Sequence, residues 1–215
     1  MSCRLCLNES GPSMKTILCY GDSNTWGYIP GTGLRYPRHL RWPGVLQAAL
    51  GNDFHVIEEG LNARTTVMDD PIRGGAIKNG LTYLRPCLES HAPLDLVILA
   101  LGVNDLKHRF GFSAYDIAAN IATLIGVIQP TPILLLSPPH VGPLSVLADL
   151  FGGAVEKSRQ LAKHYEAFAK QAGCSFFDTA TIVTASPIDG IHWATDQHLR
   201  LGNHLADLVR GIVPV

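Results

Sequence analysis

The chain has little charge of either sign and no long apolar segment. Only 16% of its 215 residues are charged, and 17 basic against 18 acidic side chains leave a formal net charge of −1. It lacks the basic field that nucleic-acid phosphates require, so we expect no nucleic-acid partner. Apolar runs such as 96–101 and 133–136 fall far short of the roughly 20 residues that span a bilayer, so we expect no membrane association.

Cysteine is scarce and arranged in a way that does not favour a metal centre. The chain has five cysteines, and Cys19 and Cys87 lie within apolar patterns, where a reduced thiol behaves as a small hydrophobic residue. Cys3 and Cys6 form a C-x-x-C motif, but no second Cys/His pair with zinc spacing accompanies them. The sequence therefore predicts no metal site.

The first residues lack the continuous apolar stretch of a secretory signal. Arg4, Glu9 and Pro12 interrupt the few apolar side chains of this segment. We therefore expect a cytoplasmic protein with a poorly ordered leader over residues 1–13 and one domain over residues 14–215.

The remaining sequence is apolar enough for a substantial core, with 47% hydrophobic residues and a mean hydropathy of +0.16. Apolar runs bounded by turn residues alternate with helical spacing, which predicts a single-domain three-layer α/β/α sandwich around a parallel five-stranded sheet. The predicted strands are 15–20, 54–58, 94–101, 132–136 and 175–177. The predicted helices are 45–50, 76–89, 114–128, 155–172 and 198–209, the last capped at Thr195 or Asp196. Two long loops, 27–41 and 137–153, are expected to wall a pocket.

Two segments at opposite ends of the chain suggest nucleophilic catalysis. Ser23 follows the first strand in Gly-Asp-Ser-Asn, at the sheet edge where α/β proteins place their ligands. Asp189 and His192 form a D-x-x-H motif before the last helix. A serine needs an adjacent base, and the base needs a carboxylate to orient it. Taken alone, a serine after a strand is more often a helix cap than a nucleophile, and a lone D-x-x-H is more often a turn former with a surface histidine.

Two further segments could bind the oxyanion of an acyl-transfer reaction. Asn104 follows the third strand in Gly-Val-Asn-Asp, where its amide could donate a hydrogen bond. Ala63 lies in the loop after the second strand, which could present backbone N–H groups to the same point. Asparagine is also a common turn residue, so neither segment is specific by itself.

Taken in order, these four segments resemble the sequence blocks of the SGNH (GDSL-like) hydrolase superfamily, over residue 14 to the C-terminus. Asn24 stands where the family name has leucine, and Ala63 where the family has an oxyanion-binding glycine. The resemblance implies a flavodoxin-like SGNH hydrolase fold that needs no metal or organic cofactor.

The resemblance also implies a role for each matched residue. Ser23 would be the nucleophile, His192 the base and Asp189 its orienting carboxylate. The backbone N–H groups of Ser23 and Ala63 and the side chain of Asn104 would form the oxyanion hole.

Within this superfamily, segments 58–66 and 189–193 look most like the arylesterase and acyltransferase-like branch. That likeness implies hydrolysis of short-chain acyl esters, with transfer to alcohols in some members, and assembly into homo-oligomers. A carbohydrate acetylesterase of the same superfamily is the alternative. Four aromatic residues are candidates for an apolar pocket, although aromatic side chains are also typical of cores; they are Trp26, Phe110, Phe151 and Trp193.

A flavin- or nucleotide-binding module is the alternative from another class, because the same strand order can cradle phosphate. Gly31-x-Gly33 lacks a third glycine and does not follow a strand directly, and no G-x-x-x-x-G-K-[ST] motif occurs. A scaffold that has lost catalysis is a third possibility, opposed by the intact Ser, Asn, Asp and His of the four blocks.

Overall fold

The computed structural model describes residues 14–214. Its five strands form one fully parallel sheet in the order β2-β1-β3-β4-β5. The strands are β1 Lys15–Gly21, β2 Phe54–Gly60, β3 Leu96–Ala100, β4 Ile133–Ser137 and β5 Ser175–Asp178. The predicted fold class, a single α/β domain with a five-stranded parallel sheet, is confirmed. The predicted leader over 1–13 and the Cys3–Cys6 pair lie outside the described residues.

Helices cover both faces of the sheet. They are α1 Ser23–Trp26, α2 Trp42–Leu50, α3 Gly80–His91, α4 Ala114–Ile128, α5 Ala154–Ser158, α6 Leu161–Ala172 and α7 Thr195–Ile212. Helices α2 and α7 pack on one face, and α3, α4 and α6 on the other. None of the helices within residues 14–214 is both long and apolar enough to cross a membrane.

The core forms two apolar layers because side chains alternate along each buried strand. Leu18 and Tyr20 of β1 point into the layer under α3, α4 and α6, whereas Ile17 and Cys19 point into the layer under α2 and α7. All four are fully buried. Burying a leucine or isoleucine side chain contributes about 1.5–3 kcal/mol, so these layers supply most of the driving force for folding.

Strand register brings three loops to one level at the carboxyl edge of the sheet. Gly21, the last residue of β1, pairs with Gly60 of β2 and with Ala100 of β3. The segments that follow these strands carry Ser23, the Ala63 loop and Asn104 respectively. Adjacency of β2, β1 and β3 therefore gathers residues that are far apart in sequence.

One predicted helix, 114–128, has the same bounds in the structure as in the prediction. Its N-terminus is fixed by a capping box in which Ser113 and Asp116 bond to each other's backbone N–H.

Other predicted helix bounds require correction. The predicted helix 155–172 is two helices, α5 and α6, and the hydroxyl of Ser158 at the break bonds to Val155 O and Val141 N. The third helix begins at Gly80, after the cap Asn79, and not at Ala76. Helix α7 is preceded by Ala194, so neither Thr195 nor Asp196 is its cap.

Candidate active site

Ser23 lies at the sharp turn between β1 and α1. Asp22 caps this helix, with its carboxylate accepting a hydrogen bond from Asn24 N at 2.9 Å. The turn packs so closely that a Cβ at Gly21 would lie 2.0 Å from Thr25 Oγ1, and one at Gly60 would lie 2.2 Å from Trp26 N. Glycine at both positions thus allows Ser23 to stand at the edge of the sheet.

His192 connects Ser23 to Asp189. His192 Nε2 lies 3.0 Å from Ser23 Oγ, and His192 Nδ1 lies 2.8 Å from Asp189 Oδ2. An ionised carboxylate can only accept, so Nδ1 carries the proton and Nε2 is left free to accept the serine proton. The three groups therefore have the connectivity of a nucleophile, a base and an orienting acid.

The loop that carries Asp189 and His192 is held in a defined shape. Asp189 Oδ1 accepts from the backbone N–H groups of Ile191 at 3.0 Å and His192 at 2.9 Å. Gly190 has a φ of +74°, and a Cβ there would lie 2.7 Å from Pro143 O. Because the left-handed region and the close approach both favour glycine, the central Gly of this D-G-I-H segment has a structural role.

Tyr28 adds a contact that the sequence did not indicate. Its ring stacks on the His192 imidazole, with centroids 4.1 Å apart and planes at 28°. Tyr28 N donates to Ser23 O at 3.0 Å, which ties the start of the 27–41 loop to the nucleophile turn. This packing limits the rotation of the imidazole away from Ser23.

Three hydrogen-bond donors without acceptors in the described part of the chain belong to residues that line the cavity beside Ser23. Among residues 14–214, the backbone N–H groups of Ser23 and Ala63 have no acceptor, and Asn104 Nδ2 is buried without one. Ser23, Ala63 and Asn104 all line the same cavity, which His192 also lines. Unpartnered donors of this kind can stabilise an oxyanion, because they are oriented before the reaction begins.

Ala63 has an unusual backbone conformation, with a φ of +65°. It is the one described non-glycine residue in the left-handed region, which alanine occupies at a cost of roughly 1–2 kcal/mol. This conformation is the one that glycine occupies freely, so alanine here retains the backbone N–H at the expense of some strain.

Two buried side chains hold the Ala63 loop against the neighbouring strands. Arg64 Nη1 donates to Gly21 O at 2.9 Å and to Glu59 O. Asp105, next to Asn104, accepts from Thr66 N and from the Thr66 hydroxyl, the latter at 2.5 Å. These contacts fix Ala63 relative to both Ser23 and Asn104.

The cavity beside Ser23 has a volume of about 160 Å³. Both long loops contribute to it, through Tyr28 from 27–41 and through Leu147, Leu150 and Phe151 from 137–153. The remaining lining residues are Ser23, Asn62, Ala63, Arg73, Asn104, Lys107, Ile191 and His192.

Of the four candidate pocket aromatics, the structure brings Phe151 alone to this cavity. Trp26 packs instead under the guanidinium of Arg35, 5.0 Å from the ring centroid. Phe110 stacks on Phe112. Trp193 is 4% exposed and belongs to the apolar layer under α2 and α7.

Comparison with known proteins agrees with this geometry. Residues 19–207 match the model of the GDSL-like lipase/acylhydrolase family. The chain belongs to this family. A comparison with curated proteins finds no match.

Solved structures similar to this GDSL-like protein include two named esterases. A carbohydrate acetylesterase from Sinorhizobium meliloti is 39% identical, with a TM-score of 0.88 over 93% of this chain and 100% of that chain. The M. smegmatis aryl esterase is also 39% identical, with a TM-score of 0.87 over the same shares of the two chains. A lipase/acylhydrolase from Enterococcus faecalis, 20% identical with a TM-score of 0.70 over 92% and 96%, shows the fold alone.

The buried carboxylates of the site differ in their ionisation. Burial alone would raise the pKa of Asp189, but the hydrogen bonds from the His192 side chain and backbone outweigh it and lower the pKa to about 2. Burial raises the pKa of Asp22 to about 6 and that of Asp105 to about 7, against the opposing hydrogen bonds from Asn24 and Thr66. Asp189 is therefore ionised throughout the neutral range, as a carboxylate that orients His192 must be, whereas Asp22 and Asp105 titrate within about one unit of pH 7.

One group of described residues has the composition of a metal site, and it lies away from the nucleophile. The ligand atoms of Glu59, Cys87 and His91 lie within 4.8 Å of one another. None of them lines the cavity beside Ser23. His91 Nε2 already contacts Glu59 Oε1 at 3.0 Å, and burial raises the pKa of Cys87 to about 12.

Proposed function

We propose that this GDSL-like protein is a serine esterase that hydrolyses short-chain acyl esters through an acyl-enzyme on Ser23. The observation that carries the proposal is the hydrogen-bonded series Ser23, His192 and Asp189, at distances of 3.0 and 2.8 Å; its first two members line the same cavity as Ala63 and Asn104, which carry donors without acceptors among the described residues. Membership of an acylhydrolase family supports it.

The first half of the reaction forms the acyl-enzyme. His192 Nε2 takes the Ser23 proton while Oγ attacks the ester carbonyl, and the carbonyl oxygen becomes an oxyanion held by Ser23 N–H, Ala63 N–H and Asn104 Nδ2. The tetrahedral intermediate collapses when His192 gives its proton to the leaving alkoxide. Asp189 stabilises the imidazolium between these steps.

The second half releases the acyl group. Water replaces the alcohol, His192 takes one of its protons, and hydroxide adds to the acyl carbonyl in the same oxyanion hole. Collapse of this intermediate returns the proton to Ser23 Oγ and frees the carboxylic acid. An alcohol in the position of the water would give acyl transfer, and the apolar wall of Leu147, Leu150 and Phe151 is where an alcohol would compete with water.

Two substrate classes fit the proposal, and each corresponds to the named activity of a solved structure that is similar to this chain. Aryl esters are favoured by the apolar wall of the cavity. Acetylated carbohydrates are the alternative, since the named activity of the S. meliloti structure is that of a carbohydrate acetylesterase. Assembly into homo-oligomers and a cytoplasmic location are part of the same proposal.

A substrate panel tests the proposed function. Hydrolysis of p-nitrophenyl esters from acetate to octanoate should be fastest for the shortest acyl chains, and acetylated sugars assayed alongside separate the two classes. Ser23→Ala, which changes one hydroxyl at a turn, should keep the fold and lose hydrolysis of every ester. Retention of most activity in this variant would refute the proposed nucleophile. Adding a primary alcohol and measuring the transfer ester against the alcohol's mole fraction tests acyl transfer.

A further inference from the structure

The lining of the cavity beside Ser23 is unbalanced in charge. Among the described residues that line the cavity, two are basic, Arg73 and Lys107, and none is acidic. The acidic residues nearest the nucleophile in sequence or by hydrogen bonding, Asp22 and Asp189, are buried behind it at 4% and 2% exposure. A chain with a net charge of −1 therefore presents a positive surface to its substrate.

Arg73 is an exposed cation without an internal partner. Among residues 14–214, its guanidinium has neither a carboxylate within salt-bridge distance nor a side-chain hydrogen bond. The reaction steps derived above do not use it. A guanidinium that lines a catalytic cavity and has no protein acceptor is available to an acceptor on the substrate.

The backbone around Arg73 is nevertheless well held, by the buried carboxylate of Asp70. Asp70 Oδ1 accepts from Ile72 N at 3.2 Å and from Arg73 N at 3.3 Å. In the backbone, Asp70 N donates to Gly75 O, and Asp70 O accepts from the N–H groups of Arg73 and Gly75. The loop that carries Arg73 is thus anchored at the cavity wall.

Lys107 adds a second positive charge to the same wall. Its side chain is 2% exposed, and its ammonium lies 2.9 Å from Asp70 Oδ2, while Arg109 contacts the same oxygen at 2.5 Å. One carboxylate contacts two cations, so Asp70, Lys107 and Arg109 together carry a formal charge of +1, although burial lowers the pKa of Lys107 and the Asp105 carboxyl acts on it from nearby. The low dielectric around it preserves the charge's effect on the cavity better than water would.

We propose that Arg73 and Lys107 form an anion subsite, so that the preferred esters of this protein carry a carboxylate away from the scissile bond. Arg73 supplies the direct hydrogen bonds, and the Lys107 cluster supplies a fixed positive potential. The inference rests on the proposed esterase function and names its substrate class. It predicts selectivity for an acidic aryl or acyl ester over the same ester in neutral form.

A matched pair of substrates tests this subsite. The preference is defined as kcat/KM for 4-acetoxybenzoate divided by kcat/KM for its methyl ester. Arg73→Gln should lower this preference about 10-fold, the effect of losing a hydrogen bond between charged partners. Because each substrate is compared between two enzymes, its intrinsic reactivity cancels. Arg73→Lys should retain part of the preference, and 0.5 M NaCl should reduce the difference between wild type and Arg73→Gln.

The control removes the same charge from another surface. Arg85 is exposed on α3 and does not line the cavity, so Arg85→Gln should leave the preference unchanged. An unchanged preference in Arg73→Gln, with the methyl ester hydrolysed by wild type and not by Ser23→Ala, would overturn the subsite alone. Failure of the wild type to hydrolyse either ester would overturn the esterase proposal and the subsite with it.

Discussion

Substitution of Asn104 should lower the catalytic rate without lowering the stability of the fold. Its Nδ2 is buried, has no hydrogen-bond partner among the described residues and lines the cavity that holds Ser23. Truncation to alanine removes one of three oxyanion donors, which costs about 2.7–4 kcal/mol in the transition state. We therefore expect Asn104→Ala to lower kcat by about 100- to 1000-fold with little change in KM.

The same substitution should leave the fold intact. A buried donor without a partner costs the folded state about 1–3 kcal/mol, so its removal relieves a penalty and breaks no hydrogen bond made by that amide nitrogen. The free energy of unfolding of Asn104→Ala, measured by urea titration, should equal or exceed that of the wild type within about 1 kcal/mol. Steady-state kinetics on p-nitrophenyl acetate gives kcat. A kcat within 10-fold of wild type, or a large loss of stability, would refute the assignment.

Two further substitutions test the acids of the site. Asp189→Asn keeps an oxygen that can accept from the Ile191 and His192 N–H groups, but it presents an amide N–H₂ to His192 Nδ1. The amide favours the tautomer with the proton on Nε2, which cannot accept the serine proton, so kcat should fall about 1000-fold or more. A fall of less than 10-fold would contradict this role. Asp105 has a raised pKa of about 7, so the folded state binds the extra proton and stability is lost as pH rises toward 7. Asp105→Asn lacks this titration, so its free energy of unfolding relative to the wild type should increase with pH by up to about 1.4 kcal/mol per pH unit, as measured by thermal melts from pH 5 to 8. A constant difference between the two proteins would show that Asp105 does not titrate in this range.

Most of the fold followed from local sequence signals. Buried strands such as 96–100 are continuous apolar runs, and the helix 114–128 has both an apolar period and a capping box, so local and tertiary preferences agree there. The break at Ser158 was missed because residues 156–160 contain neither proline nor glycine to mark the end of a helix. The hydroxyl that holds this break bonds to Val141 N, a partner 17 residues away that no local pattern reveals.

The site was predictable only in part, for a similar reason. Ser23, Asn104, Asp189 and His192 stand in motifs with chemical meaning, and parallel strand order explains why three of the four segments meet at one edge. Tyr28, which stacks on His192, lies in a loop whose path depends on tertiary packing. Proximity to a motif in the sequence makes Trp193 a candidate for the pocket, but in the structure this side chain packs in the apolar layer under α2 and α7.

Arg73 and Lys107 were missed because neither belongs to one of the four sequence blocks with catalytic meaning. Both positions depend on Asp70, which the structure shows fully buried: its carboxylate accepts from the Arg73 backbone N–H and contacts the side chains of Lys107 and Arg109. For Arg73, a basic residue in a Pro- and Gly-bounded loop after the second block, this loop is the signal that could have drawn attention to it.

Covalent labelling of the nucleophile tests the central claim most directly. The protein is treated with an organophosphonate, whose tetrahedral adduct mimics the acylation intermediate, and the modified peptide is identified by mass spectrometry. The geometry of Ser23, His192 and Asp189 predicts one adduct per chain, on Ser23, formed at a rate that falls by orders of magnitude in His192→Ala. An adduct on another residue, or labelling of Ser23 at an equal rate without the histidine, would contradict the account.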